Sequence, residues 1–207
     1  MKYLSRIPII GIIRGADTGM VEGAAAAAFN GGFRTLEITL NRPEAYDQIA
    51  MLRAKYAGEM ELGAGTVLDA DSAAKAVAAG AEFMVTPALL PDVIEYCRGR
   101  SVPVFPGAMT PTEVLAAHRA GAEMVKVFPA SSLGPGYIKS LKGPFPEIRL
   151  MPTGGVTVES ISEYLRAGAD GFGIGGELFR REWMERKEWG AIERKAGEYI
   201  QALKGAQ

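Results

Sequence analysis

The sequence predicts an α/β protein, a single (β/α)8 barrel (a TIM barrel) spanning residues 1–207. Three observations predict it. Short apolar runs alternate with longer amphipathic ones, eight pairs in all, and strands separated by helical segments pair in parallel through right-handed crossovers. A phrase recurs at every second unit. NGGF (30–33), AGAEF (79–83), AGAEM (120–124) and AGADG (167–171) end helices before strands two, four, six and eight, and the glycine in each suits a left-handed helix stop. No linker, low-complexity run or second domain interrupts the chain. A doubly wound open sheet is the rival, and the internal repeat favours the barrel.

The elements follow in order. Residues 7–13, rich in isoleucine, read as the first strand, and the alanine-rich 19–30 as the first helix. TLEITL (35–40) is the second strand, 44–56 the second helix, and ELGAGTV (61–67) the third strand. Asp69 caps a third helix through residue 79, with Asp71 in its first turn. Residues 83–86 and 102–105 are strands four and five, around a helix at 90–99. Thr110, Pro111 and Glu113 make a capping-box start for the next helix. Residues 124–128, 148–152 and 171–175 are the last strands, separated by helices at 136–142 and 158–167. A final helix runs over 181–203.

Composition narrows the function. Apolar residues make up 48% and charged residues 23%, an ordinary globular balance, and 207 residues suit one sizeable core. A net charge of -1 gives no broad attraction to nucleic acid or anionic membrane, and no apolar run reaches the roughly 20 residues of a membrane helix. The start, MKYLSRIPIIGIIRG, lacks a small-residue cleavage site and is interrupted by Arg14, so it does not read as a signal peptide. The lone Cys97 cannot pair within the chain, which fits a reducing, cytoplasmic setting. With one cysteine and one histidine, His118, a zinc site of such ligands is nearly excluded, as is a Ser-His-Asp triad unless His118 serves. Both residues lie in helical patterns, Cys97 reading as buried or half-buried and His118 as helix surface.

Chemistry should sit at the C-terminal ends of the strands. There the chain offers Arg14, Glu37, Thr39, Asn41 and Arg42, then Gly65 and Thr66, Thr86 and Pro87, Lys126, Thr153 with Gly154 and Gly155, and Gly175 with Gly176. Period-two alternation puts Leu36, Ile38 and Leu40 on one face of strand two, and Glu37 and Thr39 on the other. Strand six divides likewise, with Val125, Val127 and Pro129 against Met124, Lys126 and Phe128. An inward lysine and an inward glutamate in one mouth can form a Schiff base and move protons. The bland alternative is a buried ion pair that fills the barrel. The glycines after strands seven and eight point to a phosphate site built from backbone N–H groups, with Thr157 capping an added helix N-terminus. Neither loop holds a lysine or arginine, so oriented amides should carry the site. Arg14 suits a substrate carboxylate or, equally, an ion pair with Glu37.

The motifs GIIRG, LEITL, GAGTV, VTP, PGAMTPTE, VKVFPA, PTGGV and GIGG occur in this order between Ile7 and Phe179. Together they resemble the bacterial 2-keto-3-deoxy-6-phosphogluconate and 4-hydroxy-2-oxoglutarate aldolases and their phosphogalactonate relatives. The resemblance implies a class I, Schiff-base aldolase on a (β/α)8 barrel, a homotrimer with no metal and no cofactor. It implies Lys126 as the Schiff-base lysine and Glu37 as the acid/base. Arg14, Thr66 and the neighbouring glycine backbone would hold the pyruvate carboxylate, and Thr153 the substrate hydroxyls. Phe128 and Pro87 would wall the pocket, and Gly154, Gly155, Gly175 and Gly176 would hold phosphate. Asn41, where gluconate-cleaving members have arginine, and SSLGPGYIKSLK look like the phosphogalactonate branch, whereas GPFPEIRLMPTGG looks like the gluconate branch. Gly176 stands where the family usually has serine. Three other readings stay open. One is another phosphate-binding barrel enzyme, of the isomerase or thiamine phosphate synthase type. The others are a non-catalytic sugar-phosphate binder and an aldolase of unphosphorylated 2-keto acids.

Overall fold

The structure is a computed structural model that describes residues 1–205. In chain order it comprises strand β1 (Ile9–Ile13), helix α1 (Thr18–Asn30), β2 (Thr35–Thr39), α2 (Ala45–Lys55), β3 (Glu61–Gly65), α3 (Ala70–Ala78), β4 (Met84–Val85), α4 (Pro91–Arg98), β5 (Val104–Phe105) and β6 (Gly107–Ala108). There follow α5 (Pro111–Ala120), β7 (Val125–Val127), a 3-10 turn (Ala130–Ser132), α6 (Gly134–Lys142), β8 (Leu150–Pro152), α7 (Ile161–Arg166), β9 (Phe172–Ile174), α8 (Arg181–Glu185) and α9 (Trp189–Gly205).

The repeated glycines stop helices as the sequence predicts. Gly32, Gly80, Gly121 and Gly168 follow α1, α3, α5 and α7, with φ between 94° and 103°. A side chain is strained there, and each turn re-aims the chain into the next strand. The starts are equally local. Asp69 Oδ1 accepts from Ser72 N–H at 2.7 Å, and Thr110 with Glu113 forms a complete capping box.

Every strand pairing is parallel, in two curled sheets ordered β5-β4-β3-β2-β1-β9 and β6-β7-β8. A bridge between Thr153 and Gly173 joins one pair of edges. At the other, Glu123 N–H donates to Val104 O and Lys126 N–H to Pro106 O, both at 2.9 Å. The expected fifth strand is thus two short strands on either side of Pro106. Proline has no N–H to give a ladder, so pairing passes there from β4 to β7. The expected final helix is also divided. Lys187, with φ 55°, breaks it into α8 and α9.

Alternation sorts the core into two layers. Leu36, Ile38, Val125 and Val127 belong to the large cluster that packs strands against helices. Ile10, Phe83, Val85, Phe105, Met124 and Met151 form a second cluster with Leu4 of the N-terminal segment. These lie on the opposite strand face, within the curl of the sheets. Glu37 and Lys126 share the parity of this inner set.

Candidate active site

Two short ladders bring the chemistry together. On β2, Glu37 pairs in register with Ile12 and Gly63; on β7, Lys126 pairs with Gly107 and Met151. Both side chains are buried, Glu37 at 1% and Lys126 at 4% exposure. Glu37 Oε2 has no hydrogen-bond partner among the described residues. The Lys126 ammonium nitrogen lies 5.0 Å from the centre of the Phe128 ring. Burial raises the Glu37 pKa against the opposing pull of Lys126 and Arg14. Burial lowers the Lys126 pKa, Glu37 opposing it and Arg14 adding to it. Both shifts favour a neutral acid beside a neutral amine, the form in which lysine is a nucleophile and glutamic acid a proton donor.

Neighbouring residues make room for this pair. A Cβ on Gly65 would fall within 2.7 Å of the Glu37 carboxyl carbon, so Gly65 serves space more than backbone contact. Thr39 is buried and its hydroxyl donates to Ile13 O at 3.4 Å. Gly173 gives similar room to Thr153, whose hydroxyl donates to Met151 O at 3.3 Å. Buried Gln48 reaches from α2 to donate to Ala16 O at 3.1 Å, tying down the loop after Arg14.

Beside the pair opens a cavity of about 440 Å3 lined by Arg14, Phe128, Thr153, Gly154, Gly155, Gly175 and Gly176, together with Phe179 and Arg181. Seven residues singled out from sequence meet there. Lys126 and Glu37 do not line it as walls; Phe128, which does, stands over Lys126. Arg14 forms no ion pair with Glu37 within 4.0 Å and acts on both buried groups through its field alone. Thr66, half-buried with φ 55°, Pro87 and the exposed Asn41 do not line this cavity. A second cavity of about 530 Å3 shares Arg14, Phe179 and Arg181 with it and adds Arg42.

Two expectations are corrected. The helix after the PTGG loop starts at Ile161, not 158, because residues 158–160 form a turn whose Ser160 N–H donates to Thr157 Oγ1 at 3.4 Å. A six-residue helix so placed adds no N-terminus next to Gly155. Gly155 has φ 74°, and a Cβ there would come within 2.6 Å of Ser131 Cβ, so bulk at Gly155 would disturb the 3-10 turn as well as the cavity. Arg181, at the start of the helix expected over 181–203, lines the same cavity as the glycine loops. The only sequence signal for it was its place five residues after GIGG. His118 is exposed on α5 and Cys97 is buried, its thiol pushed up to about 11 by desolvation. Among the described residues, no three His, Cys, Asp or Glu side chains cluster as a metal site.

A family model for KDPG and KHG aldolase matches residues 1–195. The 2-dehydro-3-deoxy-6-phosphogalactonate aldolase of Escherichia coli K12 is 35% identical over 181 residues, 87% of this chain and 88% of that protein. The 2-dehydro-3-deoxy-phosphogluconate aldolase of Pseudomonas aeruginosa is 36% identical over 197 residues, 94% and 87% of the two chains. A solved structure described as native KDPGal superimposes with a TM-score of 0.91 at 32% identity, covering 97% of this chain and 96% of its own. KDPG aldolase from Legionella pneumophila, captured with pyruvate as a covalent carbinolamine, gives 0.87 at 27% identity over 94% and 95%. The chain belongs to the KDPG and KHG aldolase family.

Proposed function

We propose that this chain is a class I aldolase that reversibly cleaves a 2-keto-3-deoxy-6-phospho sugar acid to pyruvate and glyceraldehyde 3-phosphate. One observation carries the reading: a lysine and a glutamate, both buried on the inner face, both shifted toward neutrality, the glutamate with an unpartnered oxygen. A pair retained for stability would be satisfied by its neighbours.

The geometry suits the following sequence. Neutral Lys126 attacks the C2 carbonyl, and the amine proton passes to the carbonyl oxygen, giving a carbinolamine of the kind captured in the Legionella enzyme. Neutral Glu37 protonates the departing hydroxyl, water leaves, and an iminium forms. Glu37, now a carboxylate facing that positive charge, takes the C4 hydroxyl proton. The C3–C4 bond breaks, its electrons form the C2–C3 enamine, and glyceraldehyde 3-phosphate departs. Glu37 returns the proton to C3, and water adds to the iminium, its released proton passing to Glu37, so that pyruvate leaves with Lys126 and Glu37 both neutral again. Arg14 and Thr66 hold the carboxylate, Thr153 the hydroxyls, and the backbones of Gly154, Gly155, Gly175 and Gly176 the phosphate. Phe128 and Pro87 exclude water from the reacting carbons.

The domain is read as one (β/α)8 barrel, with β5 and β6 counted as a single strand interrupted at Pro106. The exposed Leu68 and Met109, at 57% and 44%, support burial against further copies, and the assembly is read as a homotrimer. No helix among the described residues is long and apolar enough to cross a membrane, and with the lone buried Cys97 this supports a cytoplasmic setting. Relatives from both sugar series lie at nearly equal identity, so the test uses both C4 epimers. Pyruvate release from at least one 6-phospho epimer, at a rate well above that from its unphosphorylated form, is expected. No release from any of these 2-keto acids would overturn the aldolase reading.

A further inference from the structure

We propose that Arg181 is the specificity-determining cation for the substrate's phosphate, held in position by Glu185. The inference rests on the phosphate reading of the glycine loops. Those loops have no cationic side chain of their own, and Gly176 carries no hydroxyl. The structure brings Arg181 to the same cavity as Gly154, Gly155, Gly175 and Gly176. Its side chain is 91% exposed, at the rim where a phosphate would enter. The guanidinium is engaged from one side only. Nε donates to Glu185 Oε1 at 2.7 Å, while the two terminal nitrogens take no protein partner among the described residues. An exposed pair of this kind contributes little to stability, but it sets the direction of the fork. Two free, parallel donors match the oxygens of a phosphate dianion. The acidic side chain that lines this cavity, Glu177, is drawn to Arg180 at 3.6 Å, which reduces its repulsion of a dianion. Apart from its chain neighbours, no heavy atom stands within 4 Å of a Cβ built at Gly176, and Gly176, Arg181 and Glu185 line one open pocket.

The test is the condensation of pyruvate with D-glyceraldehyde 3-phosphate and, separately, with D-glyceraldehyde. The parent enzyme is compared with Arg181→Met, Arg181→Lys and Glu185→Gln, and inorganic phosphate is titrated as an inhibitor of each. Arg181→Met is expected to lower kcat/KM for the phosphorylated aldehyde about tenfold, equivalent to about 1.4 kcal/mol, and to leave the bare aldehyde within about twofold. Phosphate inhibition should weaken in parallel. Arg181→Lys should fall between, keeping the charge without the fork. Glu185→Gln should raise KM for the phosphorylated aldehyde alone, about threefold, at constant kcat. An Arg181→Met enzyme that keeps the parent's ratio between the two aldehydes, or loses equally on both, would overturn the assignment. A parent that neither prefers the phosphorylated aldehyde nor is inhibited by phosphate would overturn the phosphate reading of the loops, and this inference with it.

Discussion

Two buried glutamates stand on adjacent strands with opposite surroundings. Glu61 opens β3 at the N-terminal end of the sheet. Its oxygens accept from Tyr3 N–H at 3.2 Å, Leu4 N–H at 3.0 Å and Thr35 Oγ1 at 3.3 Å. Glu37, toward the opposite end of β2, has an oxygen that accepts nothing. The lysines divide in the same way. Lys142 donates to Asp170 at 2.7 Å and to Ile148 O at 2.8 Å, before β8 and β9 begin. Among the described residues, Lys126 has the Phe128 ring and the opposed fields of Glu37 and Arg14, with no hydrogen-bonded partner for its amine. At the N-terminal end, Glu61, Lys142 and Asp170 tie the termini of elements together, and each has partners. The mouth leaves its buried pair, Glu37 and Lys126, without such partners, and that is where a substrate can complete them.

Lys126→Met should give the largest effect, a fall in aldol cleavage of at least about a thousandfold in a pyruvate-release assay. The same variant also probes the electrostatics of the buried pair. Removing the lysine removes the charge that opposes desolvation at Glu37, so the Glu37 pKa should rise further. A carboxyl whose folded pKa lies above its unfolded value of 4.5 stabilises most below 4.5, and that stability is lost as pH rises through the folded pKa. Thermal melts of Lys126→Met should therefore show more stability near pH 5 than near pH 8, relative to Lys126→Met/Glu37→Gln. A flat difference would place Glu37 in water.

Glu37→Gln comes next. It should slow exchange of the pyruvate C3 protons by about a hundredfold, followed by NMR in deuterium oxide, while pyruvate still traps on Lys126. Unchanged exchange would move the proton shuttle to another group. At the other end of the sheet, Glu61→Ala leaves two backbone N–H groups without an acceptor. It should reduce the unfolding free energy by about 2 kcal/mol in urea titrations, with kcat unaltered. A loss of kcat there would break the division between the two ends. The smallest expected effect is Gly176→Ser. A Cβ there meets no atom within 4 Å beyond its chain neighbours, and one added hydroxyl should improve kcat/KM for the phosphorylated substrate by about threefold.

Period-two alternation made Glu37 and Lys126 legible. Leu36, Ile38, Val125 and Val127 are apolar and outward, so the residues between them had to face inward. The repeated glycines were legible because only glycine holds their positive φ without strain. Two-residue strands such as β5 and β6 have no period to detect, and the handover at Pro106 depends on which neighbour offers donors. The break at Lys187 carries no glycine or proline signal, so residues 181–203 read as one helix and Arg181 was hidden within it. Arg181 and Glu185 become visible only once α8 is folded back toward the mouth. Asn41 shows the converse, since a motif position can carry branch resemblance and still stand exposed, outside the lining of this cavity.

If the unsatisfied lysine of the mouth is the nucleophile, pyruvate must trap there and on no satisfied lysine. Intact protein is incubated with pyruvate and sodium borohydride near neutral pH, digested, and sequenced by mass spectrometry. A reduced pyruvyl adduct on Lys126 alone, absent from Lys126→Met, is the expected result. Adducts on Lys142 or other surface lysines at equal yield, or trapping undiminished in Lys126→Met, would contradict it.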